Sequence, residues 1–388
     1  MAQVGGEPGV RRVGGLWPAL TSWNHLLESA LSASAGKRRR PDVARYLANL
    51  EDNVTVLRRA LLSGEWTPGP YYHFEVLSPK RRWISAAPFR DRVVHHALTR
   101  ILEPVFEPRF SRASYACRTG MGTHKAVARA HDACQRFPWV LQCDIRKFFA
   151  SIDHGILLDQ LKRSVKCKPT LDLAAKIIVD PSALPPGAGQ ADPVYFPGDD
   201  LFAPVERGKG LPLGNQTSQF FANVYLNSLD QFVERRLGPP DYVRYCDDFL
   251  LFGADKKELW QARAELIEFA AGLRLRLHHG KTVAHKAAGG ITFLGWRIDC
   301  LHKQPSRENV VRARRRLRHY SRAFHRGEMN LEEVTAGVCS WSGHAGHGDT
   351  IRLRERVLEC AILTPAVRAR NSGRVLEQQP KEPARFES

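Results

Sequence analysis

The sequence predicts a mixed α/β fold of the α+β kind. Two apolar, β-prone runs, Tyr242-Val243-Arg244 and Phe249-Leu250-Leu251-Phe252, flank Tyr245-Cys246-Asp247-Asp248 and read as one hairpin. A third run, Trp139-Val140-Leu141-Gln142-Cys143, ends on Asp144. Between and around these strands, apolar residues recur at helical spacing over most of the chain.

Taken in order, residues 1–15 are rich in Gly and Val without helical period and read as mobile. Leu20, Trp23, Leu26, Leu27, Ala30 and Leu31 predict one helix over Leu16–Leu31. Gly36 and the run Lys37-Arg38-Arg39-Arg40-Pro41 end it, and Asp42 is the expected cap of the next helix, through Leu61. Gly64 and Pro68-Gly69-Pro70 close that element. Strands are expected around Tyr72–Val76 and Trp83–Ser85, then helices over Asp91–Leu102 and Thr123–Cys134. After the strand into Asp144, helices are expected over His154–Leu161 and Leu171–Val179. Residues 180–207 are rich in Pro and Gly and read as a long surface loop. A helix over Thr217–Leu237 precedes the hairpin, and another over Lys257–Leu273 follows it. Leu275 and Leu277 suggest a strand into Gly280-Lys281-Thr282, and Ile291–Ile298 a last hairpin. From Ser306 to about Leu363 the pattern is helical and very basic; residues 366–388 are polar, with Pro, and read as disordered.

The chain has 388 residues and a net charge of +18, which argues for a polyanionic partner. A ribosomal-type or membrane-surface protein would carry such a charge equally well. The eight cysteines form no CxxC pair, which speaks against a zinc ribbon or redox motif and for reduced thiols in a cytoplasm. No apolar run approaches the roughly 18 residues of a membrane span, and the first residues do not resemble a secretory signal. Cytoplasmic residence, in a bacterial or phage-encoded setting, is the expectation.

The chemistry concentrates at Asp144, Asp247 and Asp248. Carboxylates presented at two strand ends can hold a pair of divalent cations about 3.5–4 Å apart, an arrangement suited to in-line attack on a phosphate. An isolated Asp-Asp is usually a solvated turn; here the apolar strands and Asp144 favour catalysis. Asp153 and His154 read as a helix start, and Asp199 and Asp200 as part of a solvated loop. His344, His347 and Asp349 lack further ligands at metal spacing and read as structural or nucleic-acid-contacting.

The order of motifs resembles the reverse transcriptases. It runs through Leu141–Phe149 with Ser151-Ile152-Asp153-His154, Gly210-Leu211-Pro212-Leu213-Gly214-Asn215-Gln216-Thr217-Ser218-Gln219, Tyr245–Asp248, Gly280-Lys281-Thr282 and Phe293-Leu294-Gly295. The resemblance covers about residues 38–363. It implies a right-hand polymerase with an N-terminal extension (1–37), fingers (38–139), a βαββ-type palm (140–298, with a loop insertion at about 180–208) and a helical, basic thumb (299–365). It further implies RNA-templated DNA synthesis with two Mg2+ ions, for which Mn2+ can substitute. Asp144, Asp247 and Asp248 would be the catalytic, metal-binding aspartates, with the Ile145 carbonyl completing one shell. Phe149 falls at the steric gate against a ribose 2′-hydroxyl, although composition alone would make it a core aromatic. Lys80 and Arg82 fall where the family contacts the triphosphate. Lys281 falls where a lysine protonates the leaving pyrophosphate.

Most of these enzymes have Gln-Gly where this chain has Leu213-Gly214, and Ser-Pro where it has Ser218-Gln219. That variant, and Ser340-Trp341-Ser342-Gly343-His344-Ala345, are similar to diversity-generating retroelement reverse transcriptases. Those copy a template-repeat RNA, misincorporate opposite adenine and act with a small basic accessory protein, an oligomeric helical bundle. Leu213, Gly214 and Gln219 would lie beside the incoming nucleotide. An aliphatic Leu213 cannot donate the hydrogen bonds of glutamine, and that would loosen base-pair alignment. Arg312, Arg315, Arg316, Arg318 and Arg322 have few acids nearby and are expected on nucleic-acid phosphates. Template RNA, a DNA or RNA primer and deoxynucleoside triphosphates are the expected partners. A retron-type or phage-defence reverse transcriptase, and a non-catalytic RNA-binding scaffold, remain the alternatives.

Overall fold

The computed structural model describes residues 12–77, 81–187 and 193–360. They fall into two compact units that divide between Lys303 and Gln304.

The first unit opens with helices. The single helix expected over Leu16–Leu31 is two, α1 (Leu16–Leu20) and α2 (Trp23–Ser34). Thr21 turns its hydroxyl back onto the Trp17 carbonyl at 2.8 Å, while extended Ser22 caps the His25 amide. The second expected helix also divides, into α3 (Pro41–Ala48) and α4 (Leu50–Ser63). Arg40 rather than Asp42 takes the cap position, because Pro41 sits naturally at the first helical position. Asp42 instead lies in the first turn and pairs with Arg92 at 2.6 Å. These helices share one core with α5 (Phe89–Phe106), through Leu26, Ala30, Val54, Leu57, Val93 and Leu98. Val13, within the segment expected to be mobile, is paired on both sides, its amide to Ser164 and its carbonyl to Lys166.

Strands β1 (Tyr72–Val76) and β2 (Arg82–Ala86) pair antiparallel, with Phe74 opposite Ile84. Lys80 lies outside the described residues. After α6 (Thr123–Arg136) comes β3 (Trp139–Asp144), then α7 (Phe148–Ser151), α8 (His154–Ser164) and α9 (Lys168–Ile178). Asp153 caps α8, as expected, by accepting from the Ile156 amide at 2.9 Å.

Among the described residues of 180–208, the regular elements are a short turn at Pro181–Ala183 and α10 (Ala203–Glu206). The segment is less loose than expected. The Asp199 side chain is only 1 % exposed, gripped by Arg207 and, at 2.9 Å, by Arg274. Both guanidiniums also lie over the Phe196 ring. Asp200 is exposed and accepts from the Ala203 amide.

Helix α11 (Gln216–Phe232) ends in a wide turn, Val233–Leu237, and Gly238 in the left-handed region. Strands β4 (Asp241–Tyr245) and β5 (Asp248–Gly253) then form the expected hairpin. After α12 (Lys256–Gly272), Leu277 makes a single bridge to Ile145 and no strand. Gly280 and Lys281 sit in a short helical turn, and the strand comes later, as β6 (Val283–Lys286). Strands β7 (Ile291–Phe293) and β8 (Trp296–Ile298) pair as the expected hairpin.

Four strands make the central sheet, in the order β4-β5-β3-β6, all antiparallel. Its two faces follow the period of two. Leu141, Cys143, Phe249, Leu251 and Tyr242 enter the core with α11 and α12; Val140, Val243, Leu250 and Phe252 enter a second core with α6, β7 and β8. Burial on both sides explains why these strands read as continuous apolar runs without alternation.

The second unit contains α13 (Arg307–His325), α14 (Leu331–Ala345) and α15 (Ile351–Leu358). Ser306 caps α13, and Asn330 with Glu333 forms a capping box on α14. Ala313, Leu317 and Val357 are its buried centre, with Tyr320, Val338 and Trp341 packed around them. Gly337 lets α14 meet α13 closely, since any side chain there would run into the Tyr320 ring. Arg312, Arg315, Arg316, Arg318 and Arg322 are all exposed, a basic face as expected. Residues 366–388, expected to be disordered, lie outside the described residues.

Candidate active site

The antiparallel register of β3 and β5 sets Asp144 directly opposite Asp248. Two residues, Cys246 and Asp247, connect β4 to β5, and Cys246 takes a left-handed conformation with φ of 54°. The tight turn thereby brings Asp247 to the same end of the sheet as Asp144. A backbone bond from the Ile145 amide to the Asp247 carbonyl, at 3.2 Å, ties the turn to the end of β3. From the other side, the His278 amide donates to the Asp144 carbonyl at 2.7 Å, which brings in the turn that carries Lys281.

The electrostatics are those of crowded carboxylates. Burial pushes the Asp247 carboxyl above its ordinary range, and the Asp144 charge pushes the same way; Arg82 and Lys281 partly offset them. Lys281 is ion-paired to Asp144, and this hydrogen bond raises the ammonium pKa. Lys281 is half exposed, while Asp144 is mostly covered. Among the described residues, no three His, Cys, Asp or Glu side chains converge as a ready-made metal site. The donor chemistry nonetheless suits a hard cation: carboxylate oxygens that repel one another, with a lysine ammonium compensating one of them.

Around this centre the structure gathers several predicted residues. Phe149 is half-buried in α7, edge-on to Phe148 with centroids 5.3 Å apart. Its carbonyl accepts from the Leu211 amide at 2.8 Å, and the Ile152 carbonyl accepts from Gly210 at 2.8 Å. The glycine motif is thus laced onto α7. Its other side holds the β1–β2 hairpin: the Ser85 amide donates to the Leu213 carbonyl at 2.9 Å, and Asn215 Nδ2 donates to the Ser85 carbonyl at 3.1 Å. Gly214 has φ of 110°, and a Cβ there would stand 2.9 Å from Ile84 Cγ2. Arg82, at the tip-side end of β2, is exposed and close enough to act on Asp247. Leu213 is half-buried, Ile145 is buried, and Gln219 is exposed in the first turns of α11.

Sequence reasoning missed the polar network beneath the hairpin. Arg244 and Asp230 form an ion pair at 2.6 Å with both side chains fully buried. Burial works against the Arg244 charge, but the Asp230 carboxylate outweighs it and raises the guanidinium pKa. The signal was present: a lone Arg inside the apolar run of β4, and an Asp on the apolar series of α11 after Leu226 and Leu229.

A reverse transcriptase (RNA-dependent DNA polymerase) family model matches residues 77–298, more than half of the chain. The chain is 25% identical over 291 residues to Protein YkfC of Escherichia coli (strain K12), covering 65% of this chain and 72% of that protein. It is 25% identical over 258 residues to Nuclear intron maturase 2, mitochondrial, of Arabidopsis thaliana, covering 56% of this chain and 35% of the other. The Group II intron-encoded protein LtrA of Lactococcus lactis is 25% identical over 186 residues, covering 47% and 28%. The chain therefore spans most of YkfC but about a third of the length of these intron proteins. With the matched region enclosing the paired strands, the glycine motif and all three aspartates, the chain belongs to the reverse transcriptase (RNA-dependent DNA polymerase) family.

Proposed function

We propose that this chain is an RNA-directed DNA polymerase, extending a DNA or RNA primer along an RNA template with deoxynucleoside triphosphates. One observation carries the reading: Asp144 and Asp248 stand opposite each other across two paired strands, with Asp247 in the adjoining turn. The carboxylates of Asp144, Asp247 and Asp248, with the Ile145 carbonyl, would hold two Mg2+ ions, or Mn2+. When bound, such ions activate the attacking 3′-oxygen and stabilise the leaving oxygen.

The remaining roles belong to side chains. Arg82, with Lys80, holds the triphosphate, for which a guanidinium offers a bidentate fork and an ammonium a point charge. Phe149 excludes the ribose 2′-hydroxyl. Lys281, kept protonated by its carboxylate neighbour, is the proton donor to the leaving pyrophosphate. Leu213, Gly214 and Gln219 line the nucleotide. Arg312, Arg315, Arg316, Arg318 and Arg322 bind nucleic-acid phosphates.

The finer reading is a diversity-generating retroelement enzyme working with a small basic accessory protein in a bacterial cytoplasm. It rests on Leu213-Gly214, on Ser218-Gln219 and on Ser340–Ala345, not on the relatives above, several of which are named for introns.

Primer extension on a defined RNA template, with product sequencing and Asp247→Ala alongside, tests both levels. DNA product with errors concentrated at template adenines supports both, and Leu213→Gln should then reduce those errors. Faithful product keeps the polymerase and removes the subclass. Synthesis by Asp247→Ala equal to the parent would overturn the site, and an inactive parent that still binds RNA would favour a scaffold.

A further inference from the structure

The turn that carries Asp247 is held from beneath by one side chain. A guanidinium has five N–H donors, and at Arg244 all five are engaged. Nε and Nη2 grip the two oxygens of Asp230 at 2.6 Å each, a bidentate pair. Nη2 also donates to Ser114 Oγ at 2.9 Å. Nη1 donates to Asn223 Oδ1 at 3.3 Å and to the backbone carbonyl of Cys246 at 3.2 Å. This last bond reaches the turn itself.

The anchor is fixed from every side. Asp230 and Asn223 stand on α11, and the Tyr242 hydroxyl donates to Asp230 at 2.8 Å. Asn223 Nδ2 donates to the Ala116 carbonyl at 2.9 Å. The Arg244 backbone pairs with Ala113 and Tyr115. Against this frame, the Cys246 carbonyl begins the peptide bond that leads into Asp247. Cys246 holds the left-handed conformation, which residues other than glycine and asparagine adopt only at a cost. Something must keep it there.

We propose that Arg244 is a positioning residue for the polymerase reaction, fixing the Cys246–Asp247 peptide plane and through it the direction of the Asp247 carboxylate. The inference rests on the catalytic role proposed above for Asp247. A pair that served folding alone would need only Asp230, and buried ion pairs are often no better for stability than an apolar replacement. The planar fork explains the choice of arginine, since it spans Asp230 and the Cys246 carbonyl at once. A lysine ammonium could pair with Asp230 but could not hold both.

The test is single-nucleotide addition by the full chain, with thermal unfolding and template–primer affinity measured alongside. Arg244→Lys keeps a cation for Asp230. The double variant Arg244→Met with Asp230→Leu leaves no buried charge unpaired, so folding is retained if the lysine variant misfolds. Ser114→Ala removes one bond of the network that does not touch the turn. Expected are a kcat about 30-fold or more below the parent in the lysine and double variants, with nucleotide KM and RNA affinity within about threefold. Ser114→Ala stays within about threefold in kcat. A folded lysine or double variant with parental kcat overturns the positioning role while leaving the polymerase reading intact. Loss of kcat in Ser114→Ala equal to that in Arg244→Lys also overturns it. An inactive parent overturns both.

Discussion

Asn215 and Ser85 are joined by a buried hydrogen bond, from the Asn215 amide nitrogen to the Ser85 carbonyl at 3.1 Å. Ser85 also donates its own amide to Leu213, so one residue of the β1–β2 hairpin is clasped at both backbone groups by the glycine motif. A two-stranded ribbon is marginal alone. These bonds, and the close seat of Ile84 on Gly214, fix where Arg82 stands relative to Asp247. Asn215→Ala leaves the Ser85 carbonyl buried without that donor, at a cost of about 1–3 kcal/mol. Nucleotide KM should rise about tenfold while kcat stays within about threefold. Steady-state extension with a single deoxynucleotide reads the split; an unchanged KM would show that the hairpin is placed by other contacts.

Lys281 illustrates how stability and chemistry separate at one side chain. Its ion pair with Asp144 is half exposed, and such pairs contribute about 0–1 kcal/mol. Lys281→Ala should therefore barely move the melting temperature. If Lys281 donates the proton to pyrophosphate, kcat should fall about 100-fold. The hydrogen bond to Asp144 raises the ammonium pKa. Its stabilisation is present below the unfolded-state pKa and is lost as pH rises through the higher folded value. The parent rate should thus hold to alkaline pH, with its loss at high pH absent from Lys281→Ala. Comparing pH–rate profiles of the two enzymes decides the matter.

The parts legible in the sequence were those with short-range causes. The β4–β5 hairpin follows from apolar runs around two aspartates, and Asp153 follows from the rule for helix caps. Helix breaks were harder. The Leu16–Leu31 periodicity continues across Thr21 and Ser22, and only a side chain folding back onto Trp17 interrupts it. Asp199 read as solvated because its burial depends on Arg274, a partner far away in sequence, as well as on the nearby Arg207. The grip of Asn215 on Ser85 is a contact between residues far apart in sequence, and no local pattern announces it. Arg244 and Asp230 could have been suspected, since charges inside apolar periodic runs must find one another.

Cys117 is the exposed member of a thiol pair with Cys246. The hydrogen bond from the Cys246 thiol pushes the Cys117 pKa below the ordinary thiol value, against the effect of burial. Alkylation of Cys117 by iodoacetamide should therefore show a midpoint below that of an ordinary thiol. Cys246→Ala removes the donor and should move that midpoint toward the ordinary thiol value of about 8.5. Peptide mapping of the alkylated chain across pH 6–9.5 checks this, and a midpoint indifferent to Cys246 would refute it.

The same burial that builds the α5 core should make it sensitive to acid. His95 is 1 % exposed, and neither ring nitrogen has a hydrogen-bond partner among the described residues. Burial pushes its pKa down to about 3, with His96 and Arg92 adding to the shift. The unfolded chain takes up a proton at this residue near pH 6.5, whereas the folded chain does not. Stability is therefore undiminished above pH 6.5 and falls as the pH drops toward 3. The slope is about 1.4 kcal/mol per pH unit for this one group. Urea unfolding of the parent between pH 7.5 and 4.5 should show that decline. His95→Gln, which cannot titrate, should show it reduced by one proton's worth of slope. Parallel declines in parent and variant would mean that His95 finds a proton-accepting partner in solution and that the acid sensitivity lies elsewhere in the helix.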